Sequence, residues 1–426
     1  MVVEWTVGPA DEPTLETLVV AVHTNLRRPA VRTAGKDEGG SLPATSVHDS
    51  GSGHNGFVTD DTENNTTTPI QADGLDPDAV KMFGLKVWTY RMGEVVSMMI
   101  HLGDRLGLYA ALQEAGPVGS AQLATATGLD QRFLHEWLMG QASAGLIDLH
   151  DDGRFELNPV QAALLADEEG SVDFAAGSFQ GGYPPALLDR IIESFRTGVG
   201  LTYEEQGPEA AAGLARMTAP RSRHSLSTSV VPGIEGLLEM LESGVKVVEI
   251  GCGAGVALSV LARSFPASRF VGIDPSPSAI ALAAESARSD GIDNVEFIEG
   301  FAADVEPSGN VGLIMAFDCL HDMPHPQEAA GAAWRALADD GVFLVKEIRS
   351  TGDFSRDRRN PLLPMLYGFS ISSCLQSALS EPGGMGLGTL GLHPDRISAL
   401  MTDAGFSSCR MHDFGDPSNL YYEIRK

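Results

Sequence analysis

Three short stretches of this sequence hold residues whose types and spacing can do chemistry. The first is VVEIGCGAG, in which Gly251, Gly253 and Gly255 follow an apolar run that contains Glu249. Glycines at this spacing let a backbone turn approach a ligand with no Cβ in the way, and the helix that follows offers its first amides. The third glycine comes one residue earlier than in the dinucleotide fingerprint G-x-G-x-x-G. Glu249 is either paired with an arginine or used by a ligand, because an acid inside a strand is costly unless engaged. The second stretch is VGIDPS, where Asp274 closes the next apolar run. A carboxylate at that place accepts hydrogen bonds from the 2′ and 3′ hydroxyls of a ribose and repels a 2′-phosphate. An Asp before Pro275 also begins an ordinary turn.

The third stretch is FDCLHDMPHP, residues 317–326. His321 has three readings here: a general base, a loop residue capping the next helix, or a metal ligand together with His325. A histidine that titrates near about 6.5 can take the proton of a weak nucleophile as that nucleophile attacks. Pro324 breaks the turn that would set His321 and His325 on one helix face, so no metal is expected. Asp322 is placed to orient the His321 ring, and Asp318 either faces the ligand or orients the loop. Cys319 and Cys374 read as small buried fillers.

These stretches need a scaffold that brings them to one edge. KVVEI, RFVGI, NVEFI, VGLIMAF and VFLVKEI read as buried strands, and VALSVLARSF, PSAIALAAESARSDG and PQEAAGAAWRALADDG as helices between them. Ser276 caps the second of these helices, with Pro277 in its first turn. SSCRMHDF and LYYEIRK close the chain as a hairpin around GDPSN. The fold class is therefore α/β: a doubly wound, mostly parallel seven-stranded sheet with a terminal antiparallel hairpin, binding ligands at the carboxyl edge.

Ahead of it, residues 79–170 read as an α-rich winged helix. SAQLATATG and Gln131–Ala144 form the helix-turn-helix, and LIDLHDDGRFELNP forms a wing turning at Asp152–Gly153. Residues 171–240 read as a helical linker. Residues 1–78, dense in Gly, Ser, Thr, Asn and Asp beyond position 30, read as a disordered tail. The insertion 349–393 lies where a substrate lid would, and Met365, Tyr367, Phe369 and Met385 suit an apolar acceptor or simple packing.

VVEIGCGAG, VGIDPS, FIEGFAADV and the terminal hairpin together resemble the class I S-adenosylmethionine-dependent methyltransferases over about 244–426. With the winged helix and linker, the resemblance extends to the O-methyltransferase-like small-molecule methyltransferases over about 80–426. It implies S-adenosyl-L-methionine as cofactor and methyl transfer to a small organic acceptor, most readily at a hydroxyl oxygen. It also implies that Gly251, Gly253 and Gly255 line the methionine moiety, that Glu249 fixes its amino end and that Asp274 binds ribose. Where this family often has an acid beside adenine, the chain reads Gly300-Phe301-Ala302-Ala303-Asp304. Phe301 either stacks on adenine, with Ala302 adjacent, or packs in the core. The O-methylating members carry a His-Asp pair in the matching loop, which makes His321 the general base. In this family the winged helix serves dimerisation, so a homodimer is expected.

Composition narrows the alternatives. The 426 residues carry 29 Lys+Arg against 57 Asp+Glu, a net charge of −28, and phosphate backbones are bound by the opposite balance. The second helix of the helix-turn-helix, QRFLHEWLMGQASA, is apolar where a recognition helix is basic or amide-rich. Trp137 and Leu138 are expected to anchor an interface instead, and no nucleic-acid partner is expected. A winged-helix transcriptional regulator that uses the methyltransferase-like fold as a ligand sensor is the main rival. A cofactor-binding enzyme of other chemistry is the second. Four scattered cysteines, no membrane-length apolar run and an acidic N-terminus point to a cytoplasmic protein with no membrane partner.

Overall fold

The computed structural model describes residues 75–426, so the expected tail lies, up to residue 74, outside the described residues. Helix α1 (Pro77–Arg105) starts behind Asp76, whose carboxylate accepts the Asp78 amide at 3.0 Å, with proline in its first turn. Gly107, at φ 66°, turns the chain into α2 (Leu108–Ala115). The helix-turn-helix follows as α3 (Ser120–Thr127) and α4 (Gln131–Ser143), the latter capped by Asp130. The wing is short: β1 (Asp148–Leu149) pairs antiparallel with β2 (Phe155–Glu156), and Phe155 also bridges Val118.

The expected interface anchors lie inside this domain. Trp137 is 8% and Leu138 0% exposed, and the Trp137 indole donates to the Met99 carbonyl at 2.9 Å. An apolar helix face reads the same whether a partner or its own chain covers it, and here α1 covers it. The exposed apolar residues are others: Phe133 on α4, and Met82, Phe83, Trp88, Tyr90 and Met92 along α1.

Helix α5 (Pro159–Leu165) closes the winged helix; the linker then comprises α6 (Pro185–Thr197), the single turn α7 (Tyr203–Gln206) and α8 (Pro208–Ser225), and α9 (Leu237–Ser243) leads into the sheet. Arg216 of α8 forks onto Asp104 at 2.6 and 2.9 Å and onto Glu168 at 2.5 and 2.9 Å, tying the linker to the winged helix.

The sheet has the order β5-β4-β3-β6-β7-β9-β8. Its members are β3 (Lys246–Ile250), β4 (Arg269–Asp274), β5 (Val295–Glu299), β6 (Val311–Phe317), β7 (Leu337–Ile348), β8 (Ser408–His412) and β9 (Asn419–Arg425). The first five are parallel, and β9 runs antiparallel to β7 and β8. Alternation sends Val248, Ile250, Ile314 and Val345 into one core with α12 (Pro326–Ala336) and α13 (Pro394–Asp403). Val247, Leu313, Met315 and Leu344 enter the other, with α9 and α10 (Val256–Ser264). Helix α12 stops before the end of its apparent helical run. Leu337 turns extended to pair with Val311, and β7 absorbs the run ADDG through a register shift.

Candidate functional site

The topology reverses direction at β3, which lies between β4 and β6. The crevice at such a point, outside the carboxyl ends of the strands, is where doubly wound sheets bind ligands. The glycine loop leaves β3 there. Its turn is held by the Gly251 amide on the Ile273 carbonyl at 2.8 Å and the Gly255 amide on the Cys252 carbonyl at 2.9 Å. Gly255 sits at φ 72°, and a Cβ on it would lie 2.4 Å from the Phe297 ring, so only glycine fits. Gly253, at φ 52°, has no atom within 4 Å of where its Cβ would be, leaving open space above the loop.

Asp274 ends β4 beside that space. Its carboxylate accepts the Gly253 amide at 2.8 Å through one oxygen and the Ser276 amide at 2.9 Å through the other. Each oxygen retains a lone pair for a further donor. Burial raises the Asp274 pKa, and the two amides pull it back. Glu249 is buried beneath the loop, and its Oε2 has no partner among the described residues. Burial pushes Glu249 up to about 8, with Lys346 opposing and Asp274 adding to the rise.

Phe301 lies at the end of β5 and is 58% exposed, which removes it from the core. Its amide donates to Asp304, and Ala302 opens the following turn. Asp318 turns the chain after β6 at φ 52°. Its carboxylate is occupied by Lys346 Nζ at 2.5 Å and by Asn419, which makes it a loop-orienting residue. Burial works to lower the Lys346 pKa, but Asp318 outweighs it and holds Lys346 well above its ordinary range.

The turn Leu320–Asp322 carries the candidate base. His321 is 2% exposed, and its Nδ1 lies 2.5 Å from Glu347 Oε2. Glu347 Oε1 accepts the Leu320 and His321 amides at 3.1 and 3.3 Å, so one carboxylate holds both ring and backbone. Glu347 therefore orients His321, where the sequence pointed to Asp322. Asp322 instead accepts the Tyr203 phenol at 2.7 Å. Burial works to lower the His321 pKa, but the Glu347 charge and contacts with Cys374 hold it well above its ordinary value. Asp322 is pushed up to about 7 by burial, against the pull of His321 and Tyr203.

Cys374, read as a filler, belongs to this site. A ring nitrogen of His321, a carboxylate oxygen of Asp322 and Cys374 Sγ lie within 4.8 Å of one another. His325, weighed above as a companion ligand, faces Glu381 at 3.5 Å instead. The insertion reaches this edge of the sheet, with the Met385 amide on the Pro324 carbonyl at 2.8 Å. Met365 and Tyr367, however, point to solvent. Sequence reasoning missed Glu347, Tyr203 and Cys374. Glu347 carried a signal, since it is an acid within a buried strand like Glu249. Tyr203 and Cys374 carried none, because only tertiary folding brings the linker and insertion to this edge.

Comparison with known proteins places these elements. Residues 241–365 match the family model of a methyltransferase domain, and residues 94–167 match that of the Rv2258c-like winged HTH domain. Trans-aconitate 2-methyltransferase of Escherichia fergusonii is 32% identical over 116 residues, 27% of this chain and 44% of that protein. Fatty-acid O-methyltransferase of Mycolicibacterium smegmatis is 30% identical over 111 residues, 26% of this chain and 39% of that protein. The chain thus spans less than half the length of these curated relatives. Among solved structures, mitomycin 7-O-methyltransferase superposes with a TM-score of 0.59 at 21% identity, over 82% of this chain and 100% of that one. Human N-acetylserotonin methyltransferase, solved with S-adenosylmethionine, gives 0.58 at 18% identity, over 83% and 99%. The fold is thus shared along nearly the whole of those solved chains, and this chain carries a winged HTH domain over 94–167 followed by a methyltransferase domain over 241–365.

Proposed function

We propose that the protein transfers a methyl group from S-adenosylmethionine to a hydroxyl oxygen of a small organic acceptor, with His321 as general base. The observation that carries this reading is the buried Glu347–His321 pair at 2.5 Å, set in the turn after β6 at the crevice. The crevice residues fit the cofactor. Glu249, Asp274 and Asp322 are acids with raised pKa values, Asp274 adding to the rise of the other two, and Glu249 Oε2 lacks a partner among the described residues. Such a set favours a ligand that brings positive charge and amine donors. Gly251, Gly253 and Gly255 line its methionine part, Glu249 faces its amino end, Asp274 takes the ribose hydroxyls, and Phe301 with Ala302 flanks the adenine.

When bound, the cofactor supplies a methyl group on a sulfonium, which is already a good leaving group. The protein then has two tasks, in-line geometry and removal of the acceptor proton. Glu347 fixes the ring by its Nδ1 side, and the other nitrogen, in the cluster with Asp322 and Cys374, is the one that takes the proton of the acceptor hydroxyl. Glu347 also stabilises the imidazolium that forms when that proton arrives. The test is calorimetry with S-adenosylhomocysteine and NAD, followed by an acceptor screen by mass shift. Binding of the sulfur ligand and a gain of one methyl on an acceptor support the reading. NAD binding with no response to the sulfur ligand defeats it.

The same reading makes the protein a homodimer without a nucleic-acid partner. The exposed apolar residues all round the N-terminal half of α1, and Phe133 of the same domain, supply the surface. The second helix offers one arginine, Arg132, which faces Glu136, so it presents little positive charge to a phosphate backbone and disfavours the regulator. No helix among the described residues is long and apolar enough to cross a membrane. The four cysteines are free, in keeping with a cytoplasmic location.

A further inference from the structure

The single turn α7 gives each of its four side chains a different partner. Tyr203 donates to Asp322 Oδ2 at 2.7 Å, on the turn that carries His321. Glu204 accepts Ser276 Oγ at 2.7 Å, Ser278 Oγ at 2.7 Å and the Ser278 amide at 3.2 Å. Glu205 pairs with Arg190 at 2.6 Å, and Gln206 accepts Ser373 Oγ at 2.7 Å, next to Cys374. A capping box between Thr202 and Glu205 shapes the turn. Gly207 follows at φ 106° and ψ 158°, a conformation open essentially to glycine alone.

These contacts join the two halves of the site. Ser276 is bonded to Asp274, and Asp274 to the glycine loop. Tyr203 and Glu204 are adjacent, so the segment that grips the cofactor side also grips the base turn. That turn is held from β7 by Glu347 and from the linker by Tyr203 alone.

We propose that residues 202–207 are a clasp in which Glu204 and Tyr203 act as positioning residues, coupling occupancy of the cofactor crevice to closure of the acceptor face around His321 and Cys374. The coupling rests on the methyltransferase reading, whereas the clasp itself does not. Glu204 holds the clasp to the start of helix α11 (Pro277–Ser289), and a ligand on Asp274 orders that start. Tyr203 passes the order to Asp322 and hence to the base. The consequence is ordered binding: cofactor first, acceptor second.

Cys374 reports on closure without any knowledge of the acceptor. The experiment measures its alkylation by iodoacetamide in the full chain, by peptide mass mapping, for wild type, Glu204→Ala, Tyr203→Phe and the control Glu209→Ala. Glu204 accepts three bonds, two of them from hydroxyls, so Glu204→Ala should label Cys374 about tenfold faster than wild type without any ligand. Tyr203→Phe keeps the ring and loses the hydroxyl that bonds Asp322 and lies against Ser373. It should also label faster, and the control should match wild type. Saturating S-adenosylhomocysteine should slow labelling several-fold in wild type and leave Glu204→Ala within about twofold of its own unliganded rate. Equal unliganded labelling of wild type and both variants, each with wild-type circular dichroism, overturns the clasp. Faster labelling in the variants with equal protection by the ligand overturns the coupling. If calorimetry shows that wild type does not bind S-adenosylhomocysteine, the methyltransferase reading and the coupling fall, and the unliganded rates still decide the clasp.

Discussion

His321 is enclosed, bonded through Nδ1 to Glu347 and held above its ordinary pKa. Those facts set what its removal and its titration should do. His321→Ala should lower turnover by about 10²- to 10⁴-fold, the range for loss of a general base, with S-adenosylhomocysteine affinity nearly unchanged. Because the Glu347 charge raises the ring's pKa, the basic form gains as pH rises. Turnover should therefore increase with pH through a midpoint above about 6.5. Glu347→Gln removes the charge that raises this midpoint, so the profile should move to lower pH while maximal turnover falls. Both are read from steady-state rates across pH once an acceptor is in hand. Retained activity in a folded His321→Ala protein leaves positioning of the reactants as the main contribution.

At the scale of elements, the glycine loop and the strand below it form one packed unit. A Cβ on Gly255 would press 2.4 Å from Phe297 of β5, at a backbone angle that L side chains seldom adopt. Gly255→Ala should destabilise the protein by about 1 to 3 kcal/mol and weaken cofactor binding in the same variant, measured by thermal melting and calorimetry. Gly253 differs: the space beyond its Cβ position is open, so Gly253→Ala should affect binding more than melting. Equal effects at the two positions would deny the loop its contact with a ligand.

For the whole molecule, the buried acids make stability depend on pH with a definite sign. Glu249, at about 8, is faced by Lys346 and Asp274; Asp322, at about 7, by His321, Tyr203, Glu347 and Asp274. Both fold with pKa values above those of the unfolded chain, so between about pH 4 and pH 8 the folded state holds protons that the unfolded state has lost. Stability falls as pH rises through that window, and His321, also raised, adds to the fall as pH passes its folded value. The melting temperature of the unliganded protein should drop by on the order of 5 °C between pH 6 and pH 8.5. A sulfonium beside these carboxylates offsets the loss. The melting shift from S-adenosylmethionine should grow with pH more than that from the neutral thioether S-adenosylhomocysteine. Association is the second property at this scale. The exposed apolar surface of α1 predicts a dimer in light scattering at micromolar concentration, and Trp88→Glu with Phe83→Glu should yield monomer. A wild-type monomer, or a dimer that survives both changes, counts against this surface.

The sequence by itself determined the strands, the glycine loop, Asp274 and the His321 turn, because each is written in neighbouring residues as a run of buried side chains or a backbone shape few residues allow. The seven-stranded sheet with its terminal hairpin follows from the same local patterns. The partners of those residues were decided only by tertiary structure. Asp322 is adjacent to His321 in the chain, yet the turn directs it to Tyr203, and Glu347 arrives from the neighbouring strand to hold the ring. Trp137 reads as an anchor until α1 lies over it. In each case the contact joins segments distant in the chain. Their juxtaposition follows from how sheet, linker and helices bury their apolar faces together, and no local spacing records that.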